Sequence, residues 1–170
     1  MGSLGAPDFR FRDEVRRSDI DAVAQMVAAT GFFTPGEMAI AIELVEERLQ
    51  KGEASGYLFL FAEQTSGLVV GYTCYGPVPA TQSTYDLYWI AVRPECQRSG
   101  LGRELLARTE GAVVALGGAD LYIETSSRAL YGPTQSFYAR AGYRLAAEFP
   151  DFYASGDGKL VYVKRLRPMG

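Results

Sequence analysis

A strand-like run that leads through a glycine-containing turn into a long helix is the segment that most limits the fold. Tyr85 to Val92 is apolar and aromatic, which is typical of a buried strand, and Pro94 follows it. Gly100 and Gly102 then precede an amphipathic stretch that ends at Gly117-Gly118. A strand, turn and helix in this order form the building unit of a sheet covered by helices, so the segment predicts an α/β fold.

The helix that follows residue 34 has the clearest start signal. Thr34-Pro35-Gly36-Glu37 combines an N-cap threonine, a proline at the first helical position and a glutamate three residues after the cap. This is a capping box, and it predicts a helix that runs to Gly52. Its predicted apolar face consists of Met38, Ala41, Ile42, Val45 and Leu49.

The rest of the chain predicts strands and helices around these two segments. Gln64-Thr65-Ser66-Gly67 separates two apolar runs, which indicates a hairpin. Near the end, Tyr143, Leu145, Ala147 and Phe149 alternate with the period of a strand. The predicted order is β-α-α-β-β-β-α-β-α-β-β around a mixed, mostly antiparallel central sheet flanked by helices. The strands are expected at 9–12, 57–63, 69–75, 85–92, 120–125, 143–149 and 159–166.

Length and charge indicate one domain and exclude several classes of partner. The 170 residues fit a single domain at 9–168, preceded by a disordered leader at 1–8. No apolar run reaches the roughly 18 residues of a membrane span, and the leader lacks the features of a secretory signal, so a cytoplasmic protein without membrane contact is expected. The net charge of -3 and the lack of a basic stripe argue against nucleic-acid binding.

The chain contains no histidine, and this restricts the chemistry that it can perform. Serine-histidine and cysteine-histidine nucleophiles and imidazole acid-base catalysis are excluded. The two cysteines, Cys74 and Cys96, are too few for a disulfide scaffold and lack the spacing of metal ligands, so no metal is expected. Catalysis must therefore use carboxylates, tyrosine, lysine, cysteine or backbone amides.

The turn at Gly100 and Gly102 has the features of an anion site. Amides at a helix N-terminus lack carbonyl partners, and the helix dipole there favours a negatively charged group. Arg98 and Arg103 add positive charge beside this turn in an acidic protein. The residues by themselves are equally compatible with a glycine-rich turn whose arginines are only solvated.

Two motifs resemble the signatures of the GNAT superfamily of N-acetyltransferases. The first is Gln97-x-x-Gly100-x-Gly102, preceded by Ile90-Ala91-Val92-x-Pro94, which is similar to the family's acyl-CoA signature. The second is Phe137-Tyr138-Ala139-Arg140-Ala141-Gly142-Tyr143, one predicted strand later. The predicted elements match the GNAT fold from Phe9 to Leu166. The resemblance therefore implies a single-domain acetyl-CoA-dependent N-acetyltransferase.

The resemblance also implies where the co-substrate acetyl-CoA binds. Its pantetheine arm would pair with the strand at Ile90, Ala91 and Val92. Its pyrophosphate would rest on the turn formed by Gln97, Arg98, Ser99, Gly100, Leu101, Gly102 and Arg103.

In the family, the tyrosine of the second motif protonates the departing thiolate, and Tyr138 occupies that place. A phenol with a pKa near 10 stays protonated at neutral pH, so it can donate. Glu124, at the end of the preceding strand, matches the base of members that acetylate protein N-termini, and Asp86 is its rival. Transfer through an acyl-cysteine at Cys74 or Cys96 is the alternative to direct transfer in a ternary complex.

The acceptor is expected to be a primary amine, on a small amino-acid-like molecule or a peptide N-terminus. At pH 7.5 about one third of α-amino groups are neutral, against about 0.1% of lysine amines, and a carboxylate base of ordinary pKa favours the former. The expected acceptor residues are Phe32, Phe33, Asp151, Phe152 and Tyr153. The sequence is compatible with a homodimer, and the alternative function is a non-catalytic acyl-CoA sensor or partner module.

Overall fold

The order of helices and strands is the one that the sequence predicts. The computed structural model describes residues 8–167, so most of the expected leader and Pro168 lie outside the described residues. The strands are β1 (Arg10–Arg12), β2 (Leu58–Glu63), β3 (Val69–Pro77), β4 (Thr84–Val92), β5 (Asp120–Ser126), β6 (Arg144–Ala154) and β7 (Asp157–Arg165). The helices are α1 (Asp19–Ala29), α2 (Pro35–Lys51), α3 (Leu101–Ala115) and α4 (Gly132–Arg140).

The strands form one seven-stranded mixed sheet in the order β1-β2-β3-β4-β5-β7-β6. β4 pairs with β5 in parallel, with Cα partners running from Thr84 and Asp120 to Leu87 and Ile123. The pairs β1/β2, β2/β3, β5/β7 and β6/β7 are antiparallel. The predicted α/β class with a mixed, mostly antiparallel sheet is confirmed. No helix within residues 8–167 is long and apolar enough to cross a membrane.

The domain divides into two compact units. The first contains the described residues up to Gly76 together with Trp89–Thr109. The second contains Pro77–Tyr88 together with the described residues from Glu110 onward. One core cluster of the first unit joins α1 and α2 to the sheet, and its largest fully buried side chains are Val23, Met26, Val27, Val45, Phe59, Phe61 and Tyr72.

Helix α2 starts as predicted and buries most of the expected face, with Ala41 and Val45 almost fully buried and Met38 packed against them. The capping box is present: the Glu37 amide donates to Thr34 Oγ1 at 3.2 Å, and the Thr34 amide donates to Glu37 Oε2 at 2.7 Å. Leu44 is buried beside Ala41, whereas the predicted core residue Leu49 is 39% exposed. The prediction for Leu49 was wrong because this residue lies in the last turn of the helix, beyond the core.

A buried ion network joins β1, the start of α1 and β2 in the first unit. Arg12 donates from Nη1 and Nη2 to the two oxygens of Asp19, at 2.9 and 2.6 Å, and from Nε to Glu63 Oε1 at 2.6 Å. The guanidinium also lies 4.4 Å from the ring centroid of Phe61. The Asp19 side chain is 0% exposed, so its charge depends on Arg12 for compensation.

Strand β6 lies at one edge of the sheet and is exposed along almost its whole length. The strand that the alternation of Leu145, Ala147 and Phe149 predicts is confirmed, and Leu145 and Phe149 are 49% and 46% exposed. The register with β7 shifts between Leu145 and Ala147 and again between Phe149 and Ala154, which interrupts the regular alternation of faces. Asp151, inside the second irregular stretch, has a φ of +55°.

Candidate functional site

The turn between β4 and α3 has the backbone geometry of an anion site. Arg98 and Gly100 adopt left-handed φ values of +63° and +85°. The first helical hydrogen bond of α3 runs from the Glu104 amide to the Gly100 carbonyl at 3.0 Å. The amides of residues 100–103 therefore precede the helical ladder and have no carbonyl partner inside the helix.

Side-chain hydrogen bonds hold this turn in shape. Gln97 Nε2 donates to the Val92 carbonyl at 3.1 Å, and Ser99 Oγ donates to the Cys96 carbonyl at 2.5 Å. Leu101 is buried with Cys96 in the core beneath the turn. Gln97 and Ser99 thus fix the backbone for which the family resemblance implies cofactor binding, and their side chains are already hydrogen-bonded within the protein.

Tyr138 is a buried tyrosine whose hydroxyl has no hydrogen-bond partner within residues 8–167. It lies in α4, is 4% exposed, and its ring centroid is 5.5 to 6.1 Å from those of Phe137, Tyr143 and Tyr162. Burial raises the pKa of this phenol well above its ordinary value, so it is protonated at neutral pH. Tyr138 therefore carries a proton that it can donate.

The end of α4 is anchored by a network that the sequence does not reveal. Tyr143 Oη donates to Glu110 Oε1 at 2.9 Å, and Lys164 Nζ lies 3.1 and 3.0 Å from the two Glu110 oxygens. Lys164 also donates to the Ala141 carbonyl at 2.9 Å. Burial and the adjacent Glu110 raise the pKa of Tyr143. The network restrains the chain just after Tyr138, and its partners lie up to 54 residues apart in sequence.

The two predicted bases lie on one face of the sheet in the second unit. Asp86 pairs with Tyr122 across β4 and β5, and Glu124 lies two residues beyond Tyr122, so both carboxylates project to the same side. Asp86 is partly buried and makes no hydrogen bond or ion pair within the described part of the chain. Burial, and secondly Glu124, raise its pKa, while Lys159 opposes the shift.

Lys159 lies on the same face of the sheet, although no sequence motif points to it. Its Nζ is 3.4 Å from Glu124 Oε1 and lies 4.2 and 5.3 Å from the ring centroids of Phe152 and Phe149. Lys159 is a register partner of Ser126, two residues after Glu124, and this relation depends on the pairing of β5 with β7. Because the sequence alone shows neither the pairing of β5 with β7 nor its register, it does not indicate that Lys159 lies beside Glu124.

The other predicted acceptor residues fall into both units. Phe33 packs on Trp89 with centroids 4.8 Å apart and on Phe32 at 5.6 Å, all in the first unit. Phe152 packs on Tyr153 at 5.1 Å in the second unit. One oxygen of the Asp151 carboxylate accepts from the Gly156 amide at 2.6 Å, so it is used within its own loop.

The cysteines lack the features of an acyl carrier. Cys74 is fully buried, and burial raises the pKa of its thiol. Cys96 is buried as well, and burial followed by Glu95 raises its pKa. Because the thiolate is the nucleophile, both environments disfavour an acyl-cysteine. Residues 8–167 contain no cluster of three or more histidine, cysteine or acidic side chains able to hold a metal ion.

The chain is similar to a family model and to several solved structures. The family model described as acetyltransferase (GNAT) domain matches residues 55–145. A crystal structure of a Desulfovibrio desulfuricans protein assigned to the GNAT family is 48% identical. It covers 94% of this chain and 100% of its own, with a TM-score of 0.92. Comparison with curated protein sequences gives no significant match.

More distant structures share the fold. A ribosomal-protein-S18-alanine N-acetyltransferase from Escherichia coli is 19% identical over 96% of this chain and 97% of its own, with a TM-score of 0.75. A Salmonella typhimurium structure with its cofactor acetyl-CoA is 18% identical over 96% of both chains, with a TM-score of 0.72. At these identities the similarity establishes the fold alone.

Proposed function

Because this chain belongs to the GNAT family of acetyltransferases, we propose that it transfers an acetyl group from acetyl-CoA directly to a primary amine in a ternary complex. The observation that carries the proposal is Tyr138. Tyr138 is only 4% exposed, and its hydroxyl is protonated and has no hydrogen-bond partner in residues 8–167, as a proton donor to a departing thiolate requires.

The residues of the turn fit the phosphates of acetyl-CoA. Gly100 is left-handed, and the amides of Gly100, Gly102 and Arg103 have no hydrogen-bond acceptor within residues 8–167, so they can donate to a phosphate at the start of α3. When bound, acetyl-CoA supplies an activated thioester, and the amides of the turn would bind its phosphates. The proposed cofactor residues are Ile90, Ala91, Val92, Gln97, Arg98, Ser99, Gly100, Leu101, Gly102 and Arg103.

Replacing Gly100 with alanine should weaken CoA binding about ten- to a hundredfold. A Cβ at Gly100 would meet no other atom within 4 Å, but its φ of +85° is strained for any residue with a side chain. Relief of that strain turns the amides away from the phosphates, and one lost charge-assisted hydrogen bond is worth about 1.5 to 3 kcal/mol. Isothermal titration calorimetry with CoA measures the change.

Gly111→Ala is the matched control for this substitution. Gly111 lies inside α3, has the same open space for a Cβ and has no left-handed φ. Alanine there should stabilise the helix by about 0.5 to 1 kcal/mol and leave CoA affinity unchanged. Equal dissociation constants for the two variants would remove the turn from the proposed site.

We further propose Asp86, rather than Glu124, as the general base. Asp86 has no ion-pair or hydrogen-bond partner within residues 8–167, and its raised pKa brings it closer to that of an amine. Glu124 is 55% exposed and pairs with Lys159. Asp86 is therefore unoccupied and can accept a proton, whereas the Glu124 carboxylate is held in an ion pair with Lys159.

Asp86→Asn should lower kcat about 10²-fold or more and raise the melting temperature at neutral pH. A carboxyl group whose pKa is raised by folding favours the folded state at low pH and opposes it as pH rises through that pKa. Removing the charge therefore relieves a cost at neutral pH. Glu124→Gln is the matched variant and should lower kcat less than tenfold. A larger loss with Glu124→Gln than with Asp86→Asn would reverse the assignment.

The acceptor proposed is an α-amine on a small amino-acid-like molecule or a peptide N-terminus, contacted by residues near Phe32, Phe33, Asp151, Phe152 and Tyr153. A thiol-release assay with acetyl-CoA against amines, amino acids and peptides tests the function. Release above background with at least one amine is expected. Tight CoA binding without release for any acceptor would instead favour the acyl-CoA sensor.

A peptide that carries both an N-terminal amine and a lysine tests the preference for an α-amine. The α-amine is about one third neutral at pH 7.5 and the lysine amine about 0.1% neutral, so whatever acetylation the peptide undergoes should occur at the N-terminus. Tandem mass spectrometry identifies the product. Predominant lysine acetylation at neutral pH would contradict the proposal.

A further inference from the structure

Three neighbouring strands of the second unit carry two negative charges and one positive charge on a single face. Asp86 lies on β4, Glu124 on β5 and Lys159 on β7, and the strand registers place all three on the same side of the sheet. Phe149 pairs with Lys159 in register and so lies on this side as well. The face is thus able to contact both ends of a small molecule that carries opposite charges.

The ammonium of Lys159 is held in place while most of its hydrogen-bonding capacity is unused. It has three N–H donors, and its one acceptor within residues 8–167 is Glu124 Oε1, at the long distance of 3.4 Å. The rings of Phe149 and Phe152 flank it, and its side chain is only 17% exposed. The Lys159 side chain is therefore already ordered by folding. Binding of a ligand to it requires little further loss of side-chain conformational entropy.

The unused groups on this face indicate which acceptor suits it. Asp86 has no hydrogen bond or ion pair within residues 8–167, and it lies close enough to Glu124 and Lys159 to interact with both charges. The ammonium of an acceptor can therefore pair with Asp86 while the ion pair of Lys159 with Glu124 stays intact. An acceptor that carries a carboxylate next to its ammonium can also bind the unused donors of Lys159, whereas a simple amine leaves these donors without a ligand.

We propose that Lys159 binds the carboxylate of the acceptor, so that the substrate is a free α-amino acid rather than a peptide N-terminus. This inference rests on the proposed function and narrows its acceptor. A free amino acid carries its carboxylate one carbon from its ammonium, whereas a peptide presents a neutral amide at that position.

The test compares the twenty amino acids as free acids and as α-amides, with acetyl-CoA and the full chain. We expect at least one free acid to have a kcat/KM ten or more times that of its amide. Equal values for acid and amide, or acetylation of peptides and simple amines alone, would overturn the inference while leaving the acetyltransferase intact. Absence of acetylation with every amine tested would overturn the proposed function itself, and this inference with it.

The variant Lys159→Gln tests whether Lys159 causes the preference for a free amino acid over its amide. The ratio of KM for the free acid to KM for the amide should rise at least tenfold in this variant, and Lys159→Arg should restore most of the preference because it keeps the charge. A residue with a purely structural role would raise both KM values together and leave their ratio unchanged. An unchanged ratio in Lys159→Gln would therefore refute the role of Lys159.

Discussion

Replacing Tyr138 with phenylalanine is expected to lower kcat about 10²-fold or more and to leave thermal stability nearly unchanged. The hydroxyl makes no hydrogen bond within the described chain, and the contacts of the ring with Phe137, Tyr143 and Tyr162 remain in the variant. The substitution thus deletes a proton donor without leaving an unpaired partner. Steady-state kinetics and a thermal melt of the same preparation measure the two effects.

Tyr143→Phe is the control with the opposite signature. Its hydroxyl donates to Glu110 at 2.9 Å, so its loss removes a hydrogen bond to a charged group worth about 1.5 to 3 kcal/mol. We expect a clear fall in melting temperature for this variant. If Tyr138→Phe keeps kcat within threefold of the wild type, a water or a backbone group protonates the thiolate and the assignment of Tyr138 is wrong.

Arg12→Ala is expected to lower the free energy of unfolding by about 3 to 5 kcal/mol. The substitution leaves Asp19 and Glu63 as two buried carboxylates without the guanidinium that now contacts both. It also removes the packing of Arg12 on the Phe61 ring. Chemical denaturation followed by circular dichroism gives the difference in free energy.

Arg16→Ala is the matched comparison for this network. Arg16 lies near the same Glu63 at 3.5 Å but is 49% exposed, and an exposed ion pair contributes about 0 to 1 kcal/mol. A loss of less than 1 kcal/mol is expected. Similar losses for Arg12→Ala and Arg16→Ala would show that the buried position of Arg12 has no special importance for stability.

The sequence predicts the order of elements correctly because each element has a local signal. The capping box at Thr34 starts α2, and the glycine turn at Gly156 separates β6 from β7. The sequence predicts burial incorrectly where burial depends on the surrounding structure rather than on the local pattern. Leu49 has the right helical spacing for the core but lies beyond its end, in the last turn of α2.

The residues of the proposed site also differ in whether a local sequence pattern predicts them. Gly100, Gly102 and Tyr138 belong to short motifs that are readable along the chain. Lys159 enters the group because β7 pairs with β5, 35 residues from Glu124 in sequence. Local patterns carry no information about such pairs, since a strand's register depends on the whole sheet.

The irregular stretch in β6 bears on how the protein behaves at high concentration. An exposed edge strand of this length, bearing Leu145, Phe149 and Phe152, offers unpaired backbone groups to any second strand and invites edge-to-edge aggregation. Pro150 removes one amide donor, and the broken register prevents a flat, continuous edge. We therefore expect a variant with a regular β6 to self-associate into sheet-like aggregates more readily than this chain does.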